Sequence, residues 1–95
     1  MPAAEMLMVF CYDVADNKRR RRVAKALEDA AVRVQKSVFE ARMTERAATR
    51  LAERVAAHLA QGDSLRVYAI GAHGLTRSRS YGGTPLAEAQ DFYLL

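Results

Sequence analysis

The chain is 95 residues long, enough for one small domain that buries a little over ~60% of its unfolded surface. Its 51% hydrophobic and 27% charged residues exclude a disordered chain, and the single Cys11 excludes an internal disulfide and a cysteine-built zinc site. Fifteen Lys and Arg against eleven Asp and Glu give a net charge of +4 and point to a polyanionic partner.

No apolar run approaches the ~18 to 20 residues of a membrane span. The opening MPAAE carries no basic n-region or cleavage pattern, so a cytoplasmic protein is expected. Residues 1–5 read as a loose end before a single domain over 6–95. Met6 to Asp13 reads as a strand, too short for a typical helix and apolar on both faces, hence central. Asp16 is an N-cap for a helix from about Asn17 to Ala30, with Val23, Ala26, Leu27 and Ala30 as its apolar stripe. At ~100° per residue, Arg19 and Arg20 flank that stripe, Arg22 sits farther round and Arg21 points away.

Val32 to Glu40 alternates, with Val32, Val34 and Val38 on one face and Arg33, Gln35, Ser37 and Phe39 on the other. Ala41 to Met43 reads as a turn, and Thr44 caps a second helix reaching about Gln61 before the stop at Gly62. Leu65 to Ile70 is a further strand, Gly71 to Gly74 a turn, and Leu75 to Tyr81 a basic edge strand broken by Gly82-Gly83. Asp91 to Leu95 has strand composition. The expected fold is α+β: a ferredoxin-like, βαββαβ-type antiparallel sheet with two helices on one face and the last strands supernumerary. The other face stays bare while Met6, Met8 and Phe10 or their neighbours point to it, which predicts a second copy and a homodimer.

Five consecutive bases, Lys18 to Arg22, open the first helix. Each opposes the helix dipole at a cost of ~0.3–1 kcal/mol, and Arg21 and Lys25 form a like-charge i,i+4 pair. Free backbone N–H groups beside several arginines form an anion site instead, with Arg20 and Arg22 best placed. The alternative is a solvated helix face. Asp13, at the end of a central strand, suits Mg²⁺ or Mn²⁺. One carboxylate makes a weak site, and two copies across a two-fold axis a better one. An acid that caps the turn or pairs with Arg19 or Arg20 explains it equally well. Arg33 and Phe39 together can bind phosphate and stack on a base, or serve a dimer contact. His58 and His73 lack ligand spacing, and Tyr12 reads as structural.

The segments FCYDVADNKRRRRVAKAL and VRVQKSVFE, separated by EDAA, resemble the small CRISPR-associated protein of the spacer-acquisition module, the Cas-two partner of the integrase subunit. The shared features are a Tyr-Asp strand end, an acidic-basic turn, an Arg-rich helix start and an RVQ-SVFE segment. The resemblance implies a ferredoxin-like homodimer whose strand at 91–95 packs on the partner protomer. It implies that Asp13 binds the metal and is catalytic, and that Arg20, Arg22, Arg33, Ser37 and Phe39 serve activity or nucleic-acid contact. Two functions follow from it: a Mg²⁺- or Mn²⁺-dependent endonuclease on RNA or DNA, and a dimeric bridge holding a DNA duplex between integrase dimers. The alternative is a duplex-binding scaffold without catalysis. Two positions depart from the family pattern: Ala31 stands where a glycine is usual, and Lys36 where an aromatic is frequent.

Overall fold

In the computed structural model, which describes residues 3–86, strand β1 (Glu5–Asp13) is hydrogen-bonded along both edges. It is followed by α1 (Asn17–Glu28), β2 (Val32–Gln35), β3 (Val38–Thr44), α2 (Glu45–Ala56), β4 (Ser64–Ile70) and the short α3 (Ala72–Thr76). The sheet order is β2-β3-β1-β4, every neighbouring pair antiparallel. This is the expected βαββαβ ferredoxin-like arrangement, with α1 and α2 packed side by side.

The two central strands of the motif arise differently from the expectation. The run Val32 to Glu40 is not one strand but a hairpin turning at Lys36-Ser37, and β3 continues through the segment read as a turn to Thr44. The turn lacks the Asn-Gly or Gly that tight hairpins favour, so its sequence did not announce it. It is held from outside. The Tyr12 amide donates to the Ser37 carbonyl at 3.1 Å and the Tyr12 hydroxyl to the Lys36 carbonyl at 3.0 Å. A register shift between Arg33 and Gln35 completes the irregularity.

Being paired on both sides fixes the parity of β1. Met8, Phe10 and Tyr12 face the helices, where Phe39, Ala41 and Met43 of β3 meet Val23, Leu27, Leu51 and Val55. Phe10, Phe39, Val23, Leu27 and Val55 are fully buried. The face away from α1 and α2 therefore carries not Met8 and Phe10 but their neighbours: Leu7, buried where α3 packs on the sheet, then half-buried Val9 and Cys11, with Asp13 at the end. In register across it lie Val32, Glu40, Val9 and Tyr68, then Gln35, Val38, Cys11 and Arg66. Tyr68 is 49% and Val32 57% exposed. Burial raises the Glu40 carboxyl above its ordinary range.

Helix ends also differ from the expected ones. α1 stops at Glu28, and the amides of Ala30 and Ala31 both donate back to the Leu27 carbonyl. No non-glycine residue among the described ones takes positive φ, so Ala31 replaces glycine without a left-handed turn. α2 ends at Ala56, not Gln61, because Asp63 accepts from the Ala60 amide at 2.9 Å and draws the chain into a loop through Gly62 at φ 89°. The strand expected over Leu75 to Tyr81 is absent. Gly71 instead starts α3, and Ser78 Oγ donates to the Gly74 carbonyl, closing that helix. The terminal strand expected at 91–95 lies outside the described residues.

Leu27→Ala is expected to destabilise the fold by about 2–5 kcal/mol, and Leu27→Met by less than about 1.5 kcal/mol. Urea unfolding midpoints at constant m-value would measure both.

Candidate nucleic-acid interface

The loop between β1 and α1 is built to expose charge. Val14 is buried and anchors it, while the Asp16 carboxylate accepts from the Arg19 amide at 2.9 Å and caps α1. That bond holds the Asp16 carboxyl below its ordinary range. From this cap, successive arginines fan out around the helix.

Arg19 turns towards the α2–β4 loop. Its Nε donates to Asp63 Oδ2 at 2.8 Å and its Nη2 to Oδ1 at 3.4 Å. Asp63 also accepts from the Ala60 and Ala15 amides, and its side chain is 2% exposed. The Arg19 guanidinium, then these amides, hold the Asp63 carboxyl below its ordinary range. Arg19 thus belongs to the fold. Neither Asp13 nor Asp16 takes it as a side-chain partner among the described ion pairs.

Arg20 folds back, its Nη1 donating to the Val14 and Ala15 carbonyls at 3.3 and 3.2 Å. It enters a cleft of about 580 Å³ lined by Tyr12, Asp13, Asn17, Arg20, Arg21, Arg33, Lys36 and Ser37 among others. Asn17, Arg20, Arg21 and Ala24 are the i, i+3, i+4, i+7 face of α1, and the hairpin supplies the opposite wall. Four cations and the first turn of a helix therefore converge on one concavity, with Asp13 its single acid. Such a place attracts phosphate.

Of the residues singled out from the sequence, the cleft gathers Asp13, Arg20, Arg33 and Ser37. Arg22 lies apart, with Lys18, Arg21 and Lys25 on the outer face of α1. Phe39 is fully buried; its ring carries the Arg33 guanidinium at 5.0 Å and stacks on Tyr12 at 6.2 Å. No face of it is open to a base. The sequence reading placed Arg33 and Phe39 on the same face of one strand, six residues apart, whereas they are cross-strand partners in the hairpin. Arg33 also approaches Glu28 at 3.7 Å, both half exposed, so this pair holds it weakly. Arg21, read as pointing away, lines the cleft because the hairpin wraps round that side of α1. Lys36, read as incidental, lines it too. Neither was findable without knowing where the hairpin turns.

A divalent cation fits one chain incompletely. Asp16 is engaged as a cap and Asp63 with Arg19, leaving Asp13 as the free carboxylate at the cleft. No group of three or more His, Cys, Asp or Glu that could hold a metal occurs among the described residues. Mg²⁺ is often held by one or two carboxylates and waters, and Asp13 is the carboxylate that would contribute to such a set. No helix among the described residues is long and apolar enough to cross a membrane.

Comparison with known proteins points to one family. The pattern of the family described as CRISPR associated protein Cas2 matches residues 6–77. A protein of Synechocystis sp. named CRISPR-associated endoribonuclease Cas2 2 is 40% identical over 87 residues, covering 90% of this chain and 94% of the relative. A Mycobacterium tuberculosis protein named CRISPR-associated endoribonuclease Cas2 is 34% identical, covering 93% of this chain and 76% of the relative. The crystal structure of Streptococcus pyogenes Cas2 superposes with a TM-score of 0.67 at 32% identity, over 81% of this chain and 100% of that one.

Asp63→Asn tests the Arg19 bridge. A carboxyl titrating below its unfolded value (~3.9) stabilises above that pH, and the contribution fades as the pH falls through the lower folded value. The variant is expected to melt lower than the parent at pH 7, with the gap closing in acid. Thermal melts from pH 7 to about pH 2 would show it.

Proposed function

The chain belongs to the CRISPR-associated Cas2 family, and we propose that it acts in spacer acquisition as a homodimer that grips nucleic-acid backbone in its basic clefts. The observation that carries this reading is the cleft itself. Arg20, Arg21, Arg33 and Lys36 converge beside the start of α1, the arrangement that phosphate recognition requires. The aromatics nearest to it, Tyr12 and Phe39, are buried, so bases are not stacked there. Backbone contact without base readout suits a duplex. The partner would be a DNA duplex, the spacer precursor, held between dimers of the integrase subunit.

The dimer follows from the part of the second sheet face that α3 leaves uncovered. Exposed Tyr68 and Val32 and half-buried Val9, Val38 and Cys11 form an apolar band there, and a second copy is its simplest cover. Asp13 ends β1 on the same face.

That position favours a second reading, metal-dependent phosphodiester hydrolysis of RNA or DNA; the relatives are named endoribonucleases. Asp13 from both protomers would hold Mg²⁺ or Mn²⁺, which when bound lowers the pKa of a coordinated water and polarises phosphoryl oxygen. Arg20, Arg21 and Arg33 would orient the phosphate, and Ser37 can donate to it. Among the described residues the cleft lining includes no histidine and no second acid, so binding without catalysis stands as the better supported of the two.

Arg21→Ala/Lys36→Ala removes two cations whose side chains make no ion pair among the described residues. Duplex affinity is expected to fall, and the slope of log K against log salt to shrink by about 2; an unchanged slope in fluorescence anisotropy would count against the cleft. For hydrolysis, the measurement is cleavage in Mg²⁺ across several pH values by the parent and Asp13→Ala, each freed of contaminating nuclease. Loss in the variant is the outcome that reading requires, and equal cleavage by both would sink it.

A further inference from the structure

The cleft leaves a larger share of the positive charge unused. On the outer face of α1, Lys18, Arg21, Arg22 and Lys25 recur at i, i+3, i+4 and i+7 and line a shallow groove. Beyond α1 lies α2, against which it packs. There Arg46, Arg50 and Arg54 recur every four residues, all exposed. Steps of four advance ~6 Å along a helix axis, so the three form one ridge.

That ridge is on the side of α2 towards α1, because Arg54 reaches Asp29 at the end of α1, at 4.0 Å. Of the acids of the same helix, Glu45 lies away from the ridge and Glu53 at its margin, three residues from Arg50; both line the groove between α2 and β4 with Thr49, Ala52 and Ala56. Three bases against one marginal acid leave the exposed face of α2 with a net positive ridge. Arg46 and Arg50 make no hydrogen bond or ion pair among the described residues, and the Arg54 pair is well exposed on both sides. Two like-charge i,i+4 pairs, and a base in the first turn of α2, oppose helix stability. An alternating surface would have avoided this cost.

We propose that the outer surface of the helical layer, Lys18, Arg22 and Lys25 continued by Arg46, Arg50 and Arg54, is a second phosphate-backbone contact. It engages nucleic acid that extends beyond the cleft. This deepens the proposed function and rests on its reading of the cleft. Arg21 belongs to both surfaces and joins them. The far end of the ridge is well separated from the cleft. Thr44, which caps α2, pairs with Glu5 at the start of β1, and Asp13 at the cleft ends that strand. Eight residues of strand span ~26 Å. Guanidinium groups spaced every ~6 Å over ~12 Å match a repeating phosphate chain better than an acidic patch on a protein. Dimerisation through the bare sheet face would leave the helical layer outermost and free.

The test compares two DNAs by anisotropy across a salt series, using the full chain. One is a capped stem of about 5 base pairs, ~17 Å long; the other a duplex of about 20 base pairs, ~68 Å. That exceeds the protein's longest extent of 36 Å. Arg46→Gln/Arg50→Gln is expected to weaken the long duplex about tenfold near 0.1 M salt and to lower its salt slope by about 2. The short stem should bind as it does to the parent. Glutamine is nearly as good a helix former as arginine, and circular dichroism would check the fold. Unchanged binding of the long duplex, or equal loss on both lengths, would overturn the ridge while leaving the cleft. Parent protein that binds neither DNA would overturn the cleft reading and the ridge with it.

Discussion

Strand β1 is hydrogen-bonded to β3 on one edge and β4 on the other, and that double pairing is the constraint on which the rest depends. A strand held on both sides cannot rotate or slip by one residue without exchanging its two faces. Tyr12 is therefore committed to the helices and Asp13 to the bare face. Adjacent residues acquire opposite tasks. Tyr12 ties down the hairpin that walls the cleft, and Asp13 stands at its mouth with no ion-pair partner among the described residues.

The second constraint is the disposal of four consecutive arginines at the start of a helix. Successive residues are ~100° apart, so each meets a different environment. Arg19 is neutralised by a buried carboxylate from a loop 44 residues away, which staples the β1–α1 loop to the α2–β4 loop. Arg20 serves the carbonyls of its own loop and reaches the cleft. Arg21 and Arg22 stay in solvent. The run is neither a uniform phosphate grip nor a uniform solvated face. One member is structural, two line the cleft and one lies outside it.

Much of this was legible in the residues. The central strand, the Asp16 and Thr44 caps and the apolar stripes of both helices follow from local chemistry acting over a few residues. The ferredoxin-like order followed from them, and the family resemblance from the Tyr-Asp strand end, the Arg-rich helix start and the RVQ-SVFE segment. The hairpin was misread because its turn residues carry no turn signal; what bends the chain is Tyr12, which is distant in sequence. The same error hid Arg21 and Lys36, whose place in the cleft depends on where the hairpin folds. Phe39 was read as a surface aromatic because alternation assigns a face but does not say which face is covered.

What the sequence determined by itself is therefore what short-range forces determine: element types, caps, the amphipathic faces and the supply of cations beside one acid. Only the tertiary structure decided which cations are free. Asp63 and Arg19 find each other because two loops meet at one end of the sheet, and a carboxylate removed from water takes the guanidinium within reach. The cleft exists because α1 and the hairpin converge, an arrangement fixed by burial of Phe10, Phe39, Val23 and Leu27 rather than by any residue that lines it. Packing chose the site, and local chemistry only stocked it.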